Sequence, residues 1–273
     1  MTAELDSSPI TVVKLGGSLL TDKTRPFTAR TDVIERLARE VASGWEASDN
    51  GLLLGHGSGS FGHVAAERTG LLDDERTTPL AEAVSRVQQA AAVLHRRVTE
   101  ALRAAGVPAV SVAPSSAMVA SGGTPVALQS EPVRHALAAG AVPVTYGDVV
   151  FDRTRGATVC STETVLRAFI DALREEGIAV RRVLWMGDTD GVYDADGRTV
   201  DALHPSDVER ALHAVRAPDG TDVTGGMRHR LVTARALAQA GIPSVIANGT
   251  VPGTLEQGLT GAALSGTHVR PAQ

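Results

Sequence analysis

Three cationic side chains and a set of glycine turns hold most of the chemistry this sequence can do. Lys14 sits in the apolar run ITVVKL and is followed by Gly16-Gly17-Ser18. Lys23 lies nine residues further on, and His63 closes GHGSGSFGH, residues 55–63. Two more turns, GDTDGVY (187–193) and DVTGGMRHR (222–230), contribute Asp188, Asp190, Arg228 and Arg230. Successive backbone N–H groups in a glycine turn can form a nest for an anion. A helix that opens directly after the turn adds its positive end. Four such turns suit a ligand with several phosphates, or two phosphorylated ligands end to end. Each turn alone reads equally well as an ordinary surface turn, and His63 as an incidental neighbour.

The lysines stand out by their rarity. The chain has 26 Lys and Arg residues, and only Lys14 and Lys23 are lysine. A sequence that uses arginine almost everywhere else keeps lysine where a compact, mobile point charge is needed.

Several other chemistries fail on context. Gly57, Gly59 and Gly62 match the dinucleotide pattern G-x-G-x-x-G, and Glu82 stands at the distance of the ribose-binding acid. That fingerprint needs a second strand before the acid, and no apolar strand separates residues 64 and 106. The Walker A pattern is absent. Ser58, Ser60 and His63 suggest a hydrolase, but G-x-S-x-G is missing. DTDGVYDAD starts like a calcium loop, yet Val192 occupies a ligand position. No residue is assigned as a metal ligand.

The elements that must position these residues alternate along the chain. ITVVKL, GLLLG, VPAVSVA, AVPVTYGDVV, RRVLWMG and IPSVIAN read as buried strands. Helices are predicted over about 32–47, 79–105, 163–176 and 227–240. In the longest, Leu80, Ala83, Val84, Val87, Ala91, Leu94, Val98 and Leu102 form one apolar stripe. The β-α-β-α order predicts an α/β fold with a mainly parallel sheet and helices on both faces. A lobe boundary is expected near Ile178–Arg182, and Tyr193–Val200 reads as a hairpin around Asp196-Gly197. With 273 residues, 43% of them apolar, the chain can bury a large core. A net charge of −5 without a basic stripe argues against nucleic acid as a partner. No apolar run is long enough to span a membrane. MTAELDSSPI has no basic-then-apolar leader pattern. The lone Cys160 fits a reducing compartment, so a cytoplasmic location is expected.

From Lys14 to about Thr267 the chain resembles the amino acid kinase family, and within it the isopentenyl phosphate kinases. KLGGSLLTDK, GSGSFGH, PVTYGDVVFD, DTDGVY and DVTGGM fall in that family's order and approximate spacing. The resemblance implies a three-layer sandwich. Residues 1–179 would form a lobe for the acceptor phosphate and residues 180–273 a lobe for ATP, in one continuous domain. It implies direct transfer of the ATP γ-phosphoryl to a prenyl monophosphate, with Mg²⁺ on the ATP phosphates and a homodimeric enzyme. Lys14 would bridge the transferring group, and Lys23 would neutralise it from a mobile loop. Gly16, Gly17 and Ser18 would cradle the β- and γ-phosphates. His63, with Ser58, Gly59 and Gly62, would hold the acceptor phosphate, joined by Gly147 and Thr162. Gly59, Asp188, Tyr193, Gly225, Gly226 and Arg230 would serve the nucleotide.

Two positions depart from the family pattern. Ser161-Thr162-Glu163 replaces Ser-Gly-Asp, so Glu163 would orient the two cations on a longer arm. Arg230 stands where a phosphate-binding lysine is common. The acceptor tail would lie against the long helix, where Ala83, Val84 and Val87 are small. That opens two readings, a pocket for chains beyond five carbons or plain core packing. A fosfomycin-type phosphonate kinase remains the alternative within the same branch, and a nucleotide-binding protein without catalysis the alternative outside it.

Overall fold

The structure is a computed structural model and describes residues 9–48, 51–73, 77–214 and 223–271. Its short apolar runs are buried on both faces, the condition for strands of a sheet covered by helices on both sides. Among the described residues the large sheet has the order β10 (Ala202–Leu203), β12 (Thr267–Val269), β11 (Ser244–Asn248), β9 (Val180–Gly187), β1 (Ile10–Leu15), β2 (Leu52–His56), β6 (Val142–Tyr146), β3 (Ala109–Ser111). Neighbours are parallel except β11 and β12. A second sheet has the order β5 (Thr124–Leu128), β4 (Met118–Ser121), β7 (Asp148–Asp152), β8 (Gly156–Cys160).

Strand alternation sends neighbouring side chains to opposite faces. On one face Val13, Leu15, Leu52, Leu54 and Met186 pack with α1 (Gly17–Leu20), α2 (Thr31–Glu46), α3 (Gly59–Thr69), α4 (Leu80–Ala104) and α10 (Thr254–Thr260). On the other, Val12, Leu53, Val183 and Trp185 meet α6 (Glu131–Ala138), α7 (Thr162–Glu175), α8 (Val208–Ala214) and α9 (Val223–Gln239). The short α5 (Pro114–Ala117) leads from β3 into the second sheet. This is the three-layer α/β arrangement that the alternating pattern predicts.

The apolar stripe on α4 does two jobs. Its first half puts Ala83, Val84 and Val87 against Ala65, Leu71, Val149 and Ala157, between α3 and the second sheet. Its second half puts Leu94, Val98 and Leu102 on the large sheet. The helix therefore ties the two sheets together.

Two strand expectations need correction. AVPVTYGDVV is not one strand: it forms β6 and β7, which belong to different sheets, with Gly147 at the break. An apolar run signals burial but not which sheet it joins. VPAVSVA shrinks to three edge residues, and Val110 is 43% exposed there. The second sheet as a whole was not anticipated. Tyr193 and Thr199 do form an antiparallel bridge, as the hairpin reading expects. Among the described residues no helix is long and apolar enough to cross a membrane.

Candidate active site

The chemistry gathers where β1, β2, β9 and β11 end. Lys14 alternates with Val13 and Leu15, so it points to the α7 and α9 side of the sheet. There its Nζ meets Glu163 Oε1 at 2.7 Å, with both side chains 6% exposed. Glu163 is in the first turn of α7, which Ser161 caps by accepting the Thr164 N–H at 3.2 Å. Arg230, from α9, is also buried and interacts electrostatically with Glu163 and Asp188. Burial lowers the Lys14 pKa, Glu163 opposes that, and Arg230 adds to it. Burial pushes Glu163 upward, but Lys14 and Arg230 outweigh it and hold the carboxyl below its ordinary range. Two buried cations and one buried carboxylate form a floor at the strand ends, with Asp188 acting on both cations.

Beside this floor two glycine loops meet back to back. A Cβ on Gly17 would lie 2.6 Å from the Gly59 nitrogen, and one on Gly57 2.6 Å from the Gly17 nitrogen. Neither backbone can yield, so only glycine fits. Thr21 fastens the joint: its hydroxyl donates to Gly17 O (2.8 Å) and accepts from the Ser60 N–H (3.0 Å). The G-x-G spacing thus serves the approach of two backbones. The N–H groups of Gly17, Ser18, Ser58 and Gly59 have no hydrogen-bond partner among the described residues. Those of Gly16 and Gly62 are committed, to Met186 O (2.8 Å) and Ser58 O (3.3 Å). The expected phosphate contacts from these last two N–H groups are therefore not available in this arrangement.

Other expected residues fall around this centre. His63 is exposed on α3, one turn beyond the loop, and Lys23 is exposed at the tip of the segment that follows α1. That segment is anchored by Phe27, edge-on to Phe61 with ring centres 5.9 Å apart and covered by Arg68. Thr162 is buried, and its hydroxyl donates to His56 O at 2.8 Å, so that proton is not free for an acceptor. The Gly147 N–H donates to the same carbonyl at 3.0 Å. Val84 and Val87 lie in the packed cluster under α3 rather than on an open surface.

On the far side of Lys14, Asp188 is exposed at the end of β9. Tyr193 accepts the Asp190 N–H at 3.1 Å. Gly225 and Gly226 lie in the first turn of α9, which starts at Val223, so Arg230 is about two turns in and not in the first. Asp222, at the head of that motif, is outside the described residues. Sequence reasoning missed Thr21 and Asn248. Asn248 ends β11, donates to Asp190 Oδ1 (2.7 Å) and accepts from the Thr250 N–H (2.9 Å), linking two loops on this side. A terminal Asn at the end of an apolar run was the available signal.

The model of the amino acid kinase family matches residues 9–248. The chain belongs to the amino acid kinase family. Among relatives, an isopentenyl phosphate kinase of Methanothermobacter thermautotrophicus is 35% identical over 94% of this chain and 98% of its own length. One from Haloferax volcanii is 31% identical, covering 91% and 99%. A crystal structure of isopentenyl phosphate kinase superimposes with a TM-score of 0.76 at 31% identity, covering 95% of this chain and 99% of that one. Within this amino acid kinase, the paired glycine loops and the Lys14–Glu163 floor lie together at the strand ends.

Proposed function

We propose that this chain is a phosphotransferase that uses ATP to phosphorylate isopentenyl phosphate, or a related prenyl monophosphate, to the diphosphate. End-to-end identity to isopentenyl phosphate kinases supports the acceptor class. The observation that carries the reading is the joint of the two glycine loops beside buried Lys14. It offers free N–H groups from two adjacent loops, as a transfer between two phosphates requires. Nothing observed favours a phosphonate acceptor.

An oxygen of the acceptor phosphate attacks the γ-phosphorus, and the bond to the β,γ-bridging oxygen breaks to release ADP. Such transfer depends on positioning and on charge placed where it develops. The Gly17 and Ser18 N–H groups hold the ATP phosphates. Those of Ser58 and Gly59, with His63, hold the acceptor. Lys14 bridges the transferring group, and Glu163 keeps Lys14 charged and aimed. Lys23 closes over the group from its exposed loop. Asp188, Tyr193, Gly225, Gly226 and Arg230 lie on the nucleotide side, consistent with an acceptor lobe over 1–179 and a nucleotide lobe over 180–273. Gly147 and Thr162 act through the His56 carbonyl, beneath the acceptor loop. A prenyl tail seated against Val84 and Val87 has to part a packed cluster, so tail length is set by how far α3 and α4 give.

Mg²⁺ would come with the nucleotide, neutralising charge on its phosphates. Among the described residues no three His, Cys, Asp or Glu side chains cluster for a metal. A homodimer in the cytoplasm is the working form the family resemblance implies. An ADP-release screen with ATP and Mg²⁺ tests the reading against isopentenyl, dimethylallyl and geranyl phosphates and fosfomycin. Turnover of isopentenyl phosphate is expected. Turnover of fosfomycin alone would overturn the acceptor class, and loss of the geranyl substrate would limit the pocket to short chains.

A further inference from the structure

Under the acceptor loop lies a buried pair of histidines that the proposed transfer does not use. His56 ends β2 and is fully buried, and His95 is 5% exposed on the inner face of α4. Their rings are nearly parallel, with centres 5.2 Å apart, and Tyr146 stacks on His95 at 4.2 Å. His56 Nε2 is 3.0 Å from His95 Nδ1, and His95 Nε2 is 2.7 Å from Ser111 Oγ on β3. His56 Nδ1 is 3.1 Å from the carbonyl oxygen of Gly57.

That last contact fixes the direction of the whole chain. A carbonyl can only accept, so His56 Nδ1 carries the proton. Burial lowers the pKa of both rings, to about 4 for His56 and about 3 for His95, so both are neutral near neutral pH. A neutral His56 with its proton on Nδ1 must accept at Nε2. His95 must then donate from Nδ1, and its Nε2 accepts from the Ser111 hydroxyl. The hydrogen bonds run one way, from the edge strand through α4 into the glycine loop.

We infer that His95 is a positioning residue for the acceptor-phosphate loop: it locks His56 in the form that holds the Gly57 carbonyl. Gly57 touches Gly17 through its backbone, so a tilt of this carbonyl disturbs both loops. The His56 carbonyl also receives the Gly147 N–H and the Thr162 hydroxyl, and Thr162 precedes Glu163. The loop role rests on the proposed phosphate-transfer reading. The direction of the hydrogen bonds does not.

A pair that serves only as packing and a pair that serves as a relay respond oppositely to two substitutions. His95→Phe keeps the ring and its stack on Tyr146 but leaves His56 Nε2 without a donor. His95→Asn loses volume but keeps an N–H where Nδ1 was. The relay predicts that Phe lowers kcat/KM for the acceptor about tenfold, the effect of one orphaned buried acceptor, and raises KM for ATP with it, because the two loops share a joint. Asn should recover most of that loss. Packing predicts the reverse order, and that result would overturn the inference. Long-range proton–nitrogen spectra of the histidine rings in the wild-type protein give a readout independent of turnover. Both His56 and His95 should carry their proton on Nδ1 at neutral pH; a proton on His56 Nε2, or a charged ring, also overturns it. If the wild type turns over no prenyl phosphate, the functional reading fails and the ring spectra still decide the relay.

Discussion

Glu163→Gln keeps the shape of a buried side chain and removes the one negative charge in contact with Lys14. At 2.7 Å, and with an effective dielectric constant of about 20, that contact is worth about 6 kcal/mol before desolvation is counted. Desolvation offsets part of it, and breaking one side of a buried pair generally costs about 3–5 kcal/mol. The free variant should therefore unfold in urea with a stability lower by that order. The protein has one means of relief, which is to lose the Lys14 proton. Burial and Arg230 already lower the Lys14 pKa, and Glu163 is the main opposing influence, so the variant lowers it further. The unfolded chain then holds a proton that the folded one has released, over the window between the folded pKa and the ordinary lysine value. Within that window stability rises with pH. Activity must move the other way, because charge stabilisation of the transferring group needs the ammonium form. Urea melts and ADP release, measured across the same series from mildly acidic to mildly alkaline pH, should diverge in Glu163→Gln: stability recovers as pH rises while kcat falls. ATP with Mg²⁺ should restore part of the lost stability at the lower pH by matching the uncompensated positive charge. A variant with wild-type stability, and a kcat that tracks the wild type at every pH, would refute the idea that Glu163 holds Lys14 charged.

Lys23→Ala should leave urea stability within about 0.5 kcal/mol, since the side chain is exposed. Its kcat should fall about a hundredfold or more, because the lost charge acts in the transition state; an unchanged kcat removes Lys23 from the chemistry. Gly57→Ala puts a methyl group 2.6 Å from the Gly17 nitrogen, and strain of about 1–3 kcal/mol should appear in the melt. KM should rise for both substrates, and a rise for one alone would show that the loops move separately.

The candidate site was legible in part because some of its residue types are unusual where they stand. Lys14 interrupts an apolar strand in a chain with only one other lysine, whereas Glu163 is reached through the family resemblance, as a departure from Ser-Gly-Asp. The strand ends were legible from the glycines. What was hidden depends on contacts between distant segments. The run from Ala141 to Val150 is mostly apolar, and its Gly147-Asp148 pair signals a break without saying that the chain passes there from one sheet to another. His95 falls on the apolar face of α4, where a histidine reads as a break in a stripe; its meaning comes from His56, thirty-nine residues away. Gly62 is carried over as a phosphate contact by the family resemblance, but the first turn of α3 takes its N–H. A helix expected from about residue 227 puts Arg230 in its first turn, whereas α9 starts at Val223.

The joint between Gly17 and Gly57–Gly59 sets a length. On the proposed reading one loop seats the donor phosphates and the other the acceptor. Side chains adjust by rotamer, but two peptide planes in van der Waals contact do not, so the gap between the seats is a fixed dimension of the main chain. Holding both anions at a constant separation raises the effective concentration of one against the other without relying on any single side chain. Side chains around the rim can then vary with the acceptor's tail while the transfer distance stays the same.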